Sequence, residues 1–254
     1  MRLRLLCCNL FQREACYCLA RTPHVVDVTF LQLGEHARPH ILREILQSHI
    51  RAADVQQPQY DAILLLFGLC GNATAGLSTR HTPLIIPRAH DCATILLGSR
   101  AAFQQHFADN PSQPFGSVGY VERGNDYMLQ RPEEAATGDS ETYAAYVAKY
   151  GEENARYIWE TLHPQQPENR AVFISIPETA AAGQQLQADF HAKADAAGQE
   201  FVLLNGNIKL IDGLINGPWP SDEYLTVPPG HIVEGVYDAE QILRATPISV
   251  APAK

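Results

Sequence analysis

Residues 60–100, YDAILLLFGLCGNATAGLSTRHTPLIIPRAHDCATILLGSR, carry two apolar runs of strand length, at 63–67 and 84–86. Each run ends in a glycine, proline or polar break and is followed within a few residues by a cysteine, Cys70 or Cys92. Apolar runs this short read as buried strands. A buried strand that ends in a polar turn delivers its next side chains to the carboxyl edge of a sheet, where open α/β folds place ligands. Two such turns side by side predict a site.

The rest of the chain repeats the strand-and-helix rhythm. Residues 3–7 read as a first strand that leaves Cys8 at its end, and NLFQREACYCLA reads as a helix carrying Arg13, Glu14, Cys16 and Cys18. The β-branched density of HVVDVTFLQL predicts a second strand over 24–33, closed by Gly34. Ile41, Leu42, Ile45, Leu46 and His49 fall at helical spacing behind Pro39, which suits the first turn of a helix over 39–51. A helical pattern runs from Cys92 to Phe107 unless Gly98 breaks it, and GSVGYVE reads as a short strand. RPEEAATGDS is the most loop-like stretch, and the aromatic residues of 141–162 fit a pair of helices split at Gly151. AVFISI and residues 201–204 are strands flanking an alanine- and glutamine-rich helix. Residues 205–233 read strand, turn, helix, turn, strand, and ATPISVAPAK reads as a frayed tail.

Strands alternating with helices predict an α/β fold: a mostly parallel sheet with helices on both faces. A faint echo between the two halves, with Gly206 standing where Gly34 stands, suggests subdomains at about 1–110 and 165–250 within one domain spanning 1–254. A helical and loop segment would join them.

Composition narrows the function classes. Hydrophobic residues at 46% and charged residues at 19% are enough for a sizeable core. The formal net charge of −9 argues against nucleic acid and anionic membrane, which call for a basic face, and favours a small molecule or a protein as partner. No apolar run approaches the roughly 20 residues of a membrane helix. The opening MRLRLLCCNLF is interrupted by polar residues before a signal core could form, so a cytoplasmic, reducing compartment is expected. There, six cysteines at 7, 8, 16, 18, 70 and 92 point to thiolate or metal chemistry rather than a disulfide framework. The bland alternative is that they are small buried hydrophobes.

Cys8, Cys70 and Cys92 each follow a predicted core strand. If those strands are parallel neighbours, three thiols meet at one sheet edge, unlike the paired knuckles of a zinc ribbon. Three cysteine ligands leave a fourth position open, which suits a zinc ion activating a thiol or an iron–sulfur cluster (4Fe–4S) with one iron free. Next to Cys92, His90 is a candidate ligand or proton shuttle and Asp91 a group that orients a neighbour. Gly71 and Asn72, in GLCGNATAG, are candidates for presenting backbone N–H groups to an anion at a helix start. Arg88 and Arg13 are candidates to pair with a substrate carboxylate or phosphate. No G-x-S-x-G, H-E-x-x-H or G-x-G-x-x-G motif occurs, so serine-hydrolase, zincin and dinucleotide-binding readings lack their signatures.

The runs FGLCGNATAGL and PLIIPRAHDCATILLGSR resemble the signature of a prokaryotic family known as domain of unknown function 1638, and CCNLFQRE resembles its opening. FLQLGEHARPHIL and LINGPWPSDEYLTVPPGHIV are similar to its pattern as well, and PRAHDC is the most specific part. The resemblance places the family's cysteines on Cys8, Cys70 and Cys92. It implies an α/β sandwich associated with corrinoid-dependent methyl transfer in one-carbon metabolism. Three functions are expected from this: an iron–sulfur protein, a zinc-dependent thiol or corrinoid methyltransferase, or a non-catalytic accessory protein of a corrinoid enzyme.

Overall fold

Strands β1 (Arg2–Cys8) and β3 (Ala62–Leu66) lie side by side and parallel near the centre of a five-stranded sheet. β2 (Val25–Leu31) flanks β1 and β4 (Leu84–Pro87) flanks β3, both parallel, and β8 (Tyr224–Val227) closes the order β2-β1-β3-β4-β8 as the antiparallel edge. The computed structural model of the chain describes residues 1–32, 38–110, 113–123, 170–236 and 241–248, with the single positions 147 and 152. The expected strand end at Leu33 and Gly34, the loop 131–140, the helix pair over 141–162, apart from those two positions, and the tail beyond 248 lie outside the described residues.

Strand side chains alternate between faces, and the core divides accordingly. Leu6, Ile63, Leu65, Leu84 and Ile86 pack under helix α2 (Pro39–Asp54), whose Leu42, Leu46, Ile50 and Ala53 fall three or four residues apart. Leu3, Leu5, Cys7, Leu64 and Ile85 pack on the opposite face against α1 (Gln12–Leu19), α3 (Cys92–Leu97) and, later in the chain, α7 (Lys209–Asn216). The expected α/β fold with helices on both faces is present. No described helix is long and apolar enough to cross a membrane.

Gly98 does break the helix that follows Cys92: it ends α3 in a left-handed conformation, φ 78°, and α4 (Arg100–Phe107) starts behind the Ser99 cap. GSVGYVE divides where a strand had been expected throughout. β5 (Phe115–Ser117) is followed by α5 (Val118–Glu122), because the Ser117 hydroxyl accepts from the Tyr120 N–H and starts a helix there.

β5, β6 (Arg170–Ser175) and β7 (Glu200–Asn205) form a second, fully parallel sheet with α6 (Pro177–Ala196) between the last two in sequence. Val172 and Ile174 of this sheet belong to the same apolar cluster as Leu3, Leu5 and Leu64 of the first. β8, from the later part of the chain, completes the first sheet. The first three residues of the expected tail, 245–247, belong to a strand: β10 (Leu243–Pro247) pairs antiparallel with β9 (His231–Gly235).

Candidate metal centre

The strand order brings the three post-strand cysteines together. Cys8 ends β1, Cys70 lies in the loop after β3 and Cys92 begins α3 behind β4, and these three strands are parallel neighbours. All three thiols line one cavity of about 30 Å³, more than the roughly 10–15 Å³ that a single water needs. No disulfide joins them.

The loops after β3 and β4 are fastened to one another. The Leu69 N–H donates to the Ala89 carbonyl at 2.8 Å and the Cys70 N–H to the His90 carbonyl at 2.9 Å, extending the β3–β4 pairing past the strands. Gly68 makes the approach possible, because a Cβ there would stand 2.8 Å from the Asp91 Cα. Cys70, Gly71 and Asn72 all have positive φ, at 46°, 63° and 68°. A cysteine in that region is strained by about 1–3 kcal/mol, a cost found mostly at functional sites. On the other side, a Cβ on Gly119 would stand 1.9 Å from the Leu10 carbonyl oxygen, so its absence lets α5 close onto the turn that follows Cys8.

Tyr120, on α5, had no place among the sequence candidates. Its hydroxyl lies 2.9 Å from the Cys92 sulfur, and it also lines the cavity. While Cys92 is a thiol either atom can carry the shared hydrogen, whereas opposite a thiolate only the phenol can donate. Leu10, Phe11, Leu42 and Phe67 supply apolar walls, and Gln32 adds an amide. Only the aromatic character of GSVGYVE could have pointed to Tyr120, since its role depends on a helix that crosses back over the end of β1.

Burial dominates the electrostatics. It pushes the Cys8 thiol up to about 11, against a lowering by the Leu10 N–H and Arg123, and the Cys70 thiol up to about 12, with Cys8 and Asp91 adding to the rise. Cys92 is likewise raised, by burial first and then by Asp91 and Cys70, with Tyr120 opposing. The thiols are therefore protonated at neutral pH unless a cation supplies the charge that they lack.

The other candidates serve differently. Asp91 caps α3, accepting from the Thr94 N–H at 3.1 Å and the Thr94 hydroxyl at 3.3 Å, so it holds the helix that carries Cys92. His90 is exposed and contributes its carbonyl to the loop pairing. Arg88 is engaged with backbone: its guanidinium donates to the carbonyls of Ser221 at 2.7 Å, Gln241 at 2.6 Å and Leu243. Arg13 pairs with Glu122 and lines a separate, wider groove with Cys16 and Tyr17. Gly71 and Asn72 are exposed in a turn rather than at a helix start, and neighbouring N–H groups are already used: Ala73 donates to Cys70, Ala75 to Asn72 and Gly76 to Val233.

Among the described residues no group of three or more His, Cys, Asp or Glu side chains is placed to hold a metal ion. A single zinc bound at about 2.3 Å by each thiolate would draw the sulfurs to within about 3.8 Å of one another. A cluster presents separate irons to separate cysteines, so its ligands stand farther apart. Three soft sulfur donors lining one largely apolar cavity fit a thiolate-bound metal group in donor chemistry.

A family model described as "Protein of unknown function (DUF1638)" matches residues 30–215. No curated protein and no solved structure matches the chain.

Proposed function

The chain belongs to the DUF1638 family of proteins of unknown function, and we propose that within it this protein is a metalloprotein whose Cys8, Cys70 and Cys92 hold an iron–sulfur cluster. One observation carries the reading: thiols from three separate parts of the chain line one cavity at the carboxyl edge of three adjacent parallel strands. A cluster held by three cysteines leaves one iron free to accept a small-molecule substrate or to meet a corrinoid protein. The role in methyl transfer or related one-carbon chemistry comes from the family resemblance alone.

The protein's part is to position and shield. Cys8 is held by the β1 register, Cys70 by its bond to His90, and Cys92 by the capped start of α3. Leu10, Phe11, Leu42 and Phe67 wall the sulfurs with apolar surface, which lowers the local dielectric and strengthens the polar contacts there.

Purification without oxygen followed by iron, sulfide and zinc analysis tests the proposal. Iron and sulfide in stoichiometric amounts, lost on replacing any one of Cys8, Cys70 and Cys92 by serine, are expected. Zinc without sulfide would select a zinc-dependent thiol or corrinoid methyltransferase instead. A colourless, metal-free protein that tolerates all three replacements would leave the cysteines as packing and favour an accessory role beside a corrinoid enzyme.

A further inference from the structure

The Cys92 sulfur meets a side-chain hydrogen-bond partner, the Tyr120 hydroxyl at 2.9 Å. That contact depends on one phenol brought by α5, from a distant part of the chain.

Tyr120 is held firmly for this contact. It is 5% exposed, its ring meets Phe115 edge-on with centroids 5.6 Å apart, and Phe115 in turn meets Phe107 at 6.2 Å. Its own N–H lies 3.4 Å from the Ser117 hydroxyl that caps α5, and the neighbouring Gly119 lets that helix close onto Leu10. A buried phenol needs a partner for its hydroxyl, and here the partner is a sulfur in the cavity wall rather than a backbone carbonyl.

We propose that Tyr120 is a positioning residue of the metal centre, whose phenol donates a hydrogen bond to the Cys92 sulfur, orients that ligand and sets the reduction potential of the bound cluster. The inference rests on the reading of Cys8, Cys70 and Cys92 as ligands. A donor to a ligand sulfur stabilises the more negative, reduced state, so its removal lowers the potential. Such a bond gains strength beside the apolar walls of the cavity.

The test compares wild type with Tyr120→Phe, both purified and reconstituted without oxygen, reading iron and sulfide content, the sulfur-to-iron absorption bands and the midpoint potential. The expected result is unchanged iron and sulfide with a lower potential and shifted absorption bands in the variant. Equal potentials and equal spectra in two fully loaded proteins would overturn the role of Tyr120 while leaving the cluster in place. Wild type without iron and sulfide would overturn the cluster and the role of Tyr120 together. Where Tyr120→Phe fails to fold or to load, difluorotyrosine placed at position 120 decides: its more acidic hydroxyl raises the potential if the bond acts as proposed, and an unchanged potential overturns it.

Discussion

The N–H of Cys70 donates to the carbonyl of His90 at 2.9 Å, so the loop that carries one candidate ligand is paired, backbone to backbone, with the loop that leads into another. The spacing between Cys70 and Cys92 follows from this pairing and from the close contact of Gly68 with Asp91.

Gly68→Ala is therefore expected to damage the site as well as the fold. The added methyl meets backbone at 2.8–3.0 Å, which cannot swing aside as a side chain would. A stability loss of about 1–3 kcal/mol is expected in urea denaturation, together with a lower metal content per folded protein.

Arg88 gives a contrasting outcome. Its bonds to the carbonyls of Ser221, Gln241 and Leu243 tie the end of β4 to the segment before β8 and to β10. Replacement by methionine is expected to cost about 2–4 kcal/mol while leaving metal stoichiometry unchanged in the folded fraction. Undiminished stability with lost substrate affinity would instead support the substrate-binding role expected from sequence.

Asp54, at the end of α2, accepts from three consecutive N–H groups, those of Arg80 at 2.7 Å, His81 at 3.0 Å and Thr82 at 2.8 Å. It fixes the turn that feeds β4. Asp54→Ala leaves those donors without their acceptor, and a loss of about 3 kcal/mol is expected from the same denaturation measurement.

Glu14 is buried at 4% exposure and accepts from the Thr179 hydroxyl at 2.6 Å. Burial raises its pKa above the ordinary 4.5, against the lowering by Thr179. The native state then holds the proton more tightly than the unfolded chain. Its stabilising contribution is full below pH 4.5 and is lost as pH rises through the native value. Glu14→Gln keeps the acceptor and removes the charge. The variant is expected to melt higher than wild type at pH 7, with the gap closing toward pH 4; a gap that does not depend on pH would refute the assignment.

Much of the scaffold was legible in the sequence because burial on both faces leaves a plain mark. AILLL in β3 and LIIP in β4 are apolar throughout, as central parallel strands must be, and α2 shows its inward stripe at Leu42, Leu46 and Ile50. The positions of Cys8, Cys70 and Cys92 just beyond such strands marked the sheet edge. The three carbonyls that Arg88 meets were not legible, because they lie more than 130 residues further along the chain and an arginine after a strand looks the same with or without them. The start of the expected tail, 245–247, was misread because β10 gains its regularity from pairing with β9, and its own residues, LRATP, carry little strand signal.

The sequence by itself determined the class of fold and the three sulfur positions, since periodicity and strand ends are local properties that each segment carries wherever it is placed. Tertiary structure alone decided that β1, β3 and β4 are neighbours, that β8 turns back to the first sheet, and that Tyr120 reaches Cys92. Those are contacts between segments far apart in the chain. They are set by which apolar faces pack together and by where Gly68 and Gly119 let backbones touch, and no local pattern of residues records them.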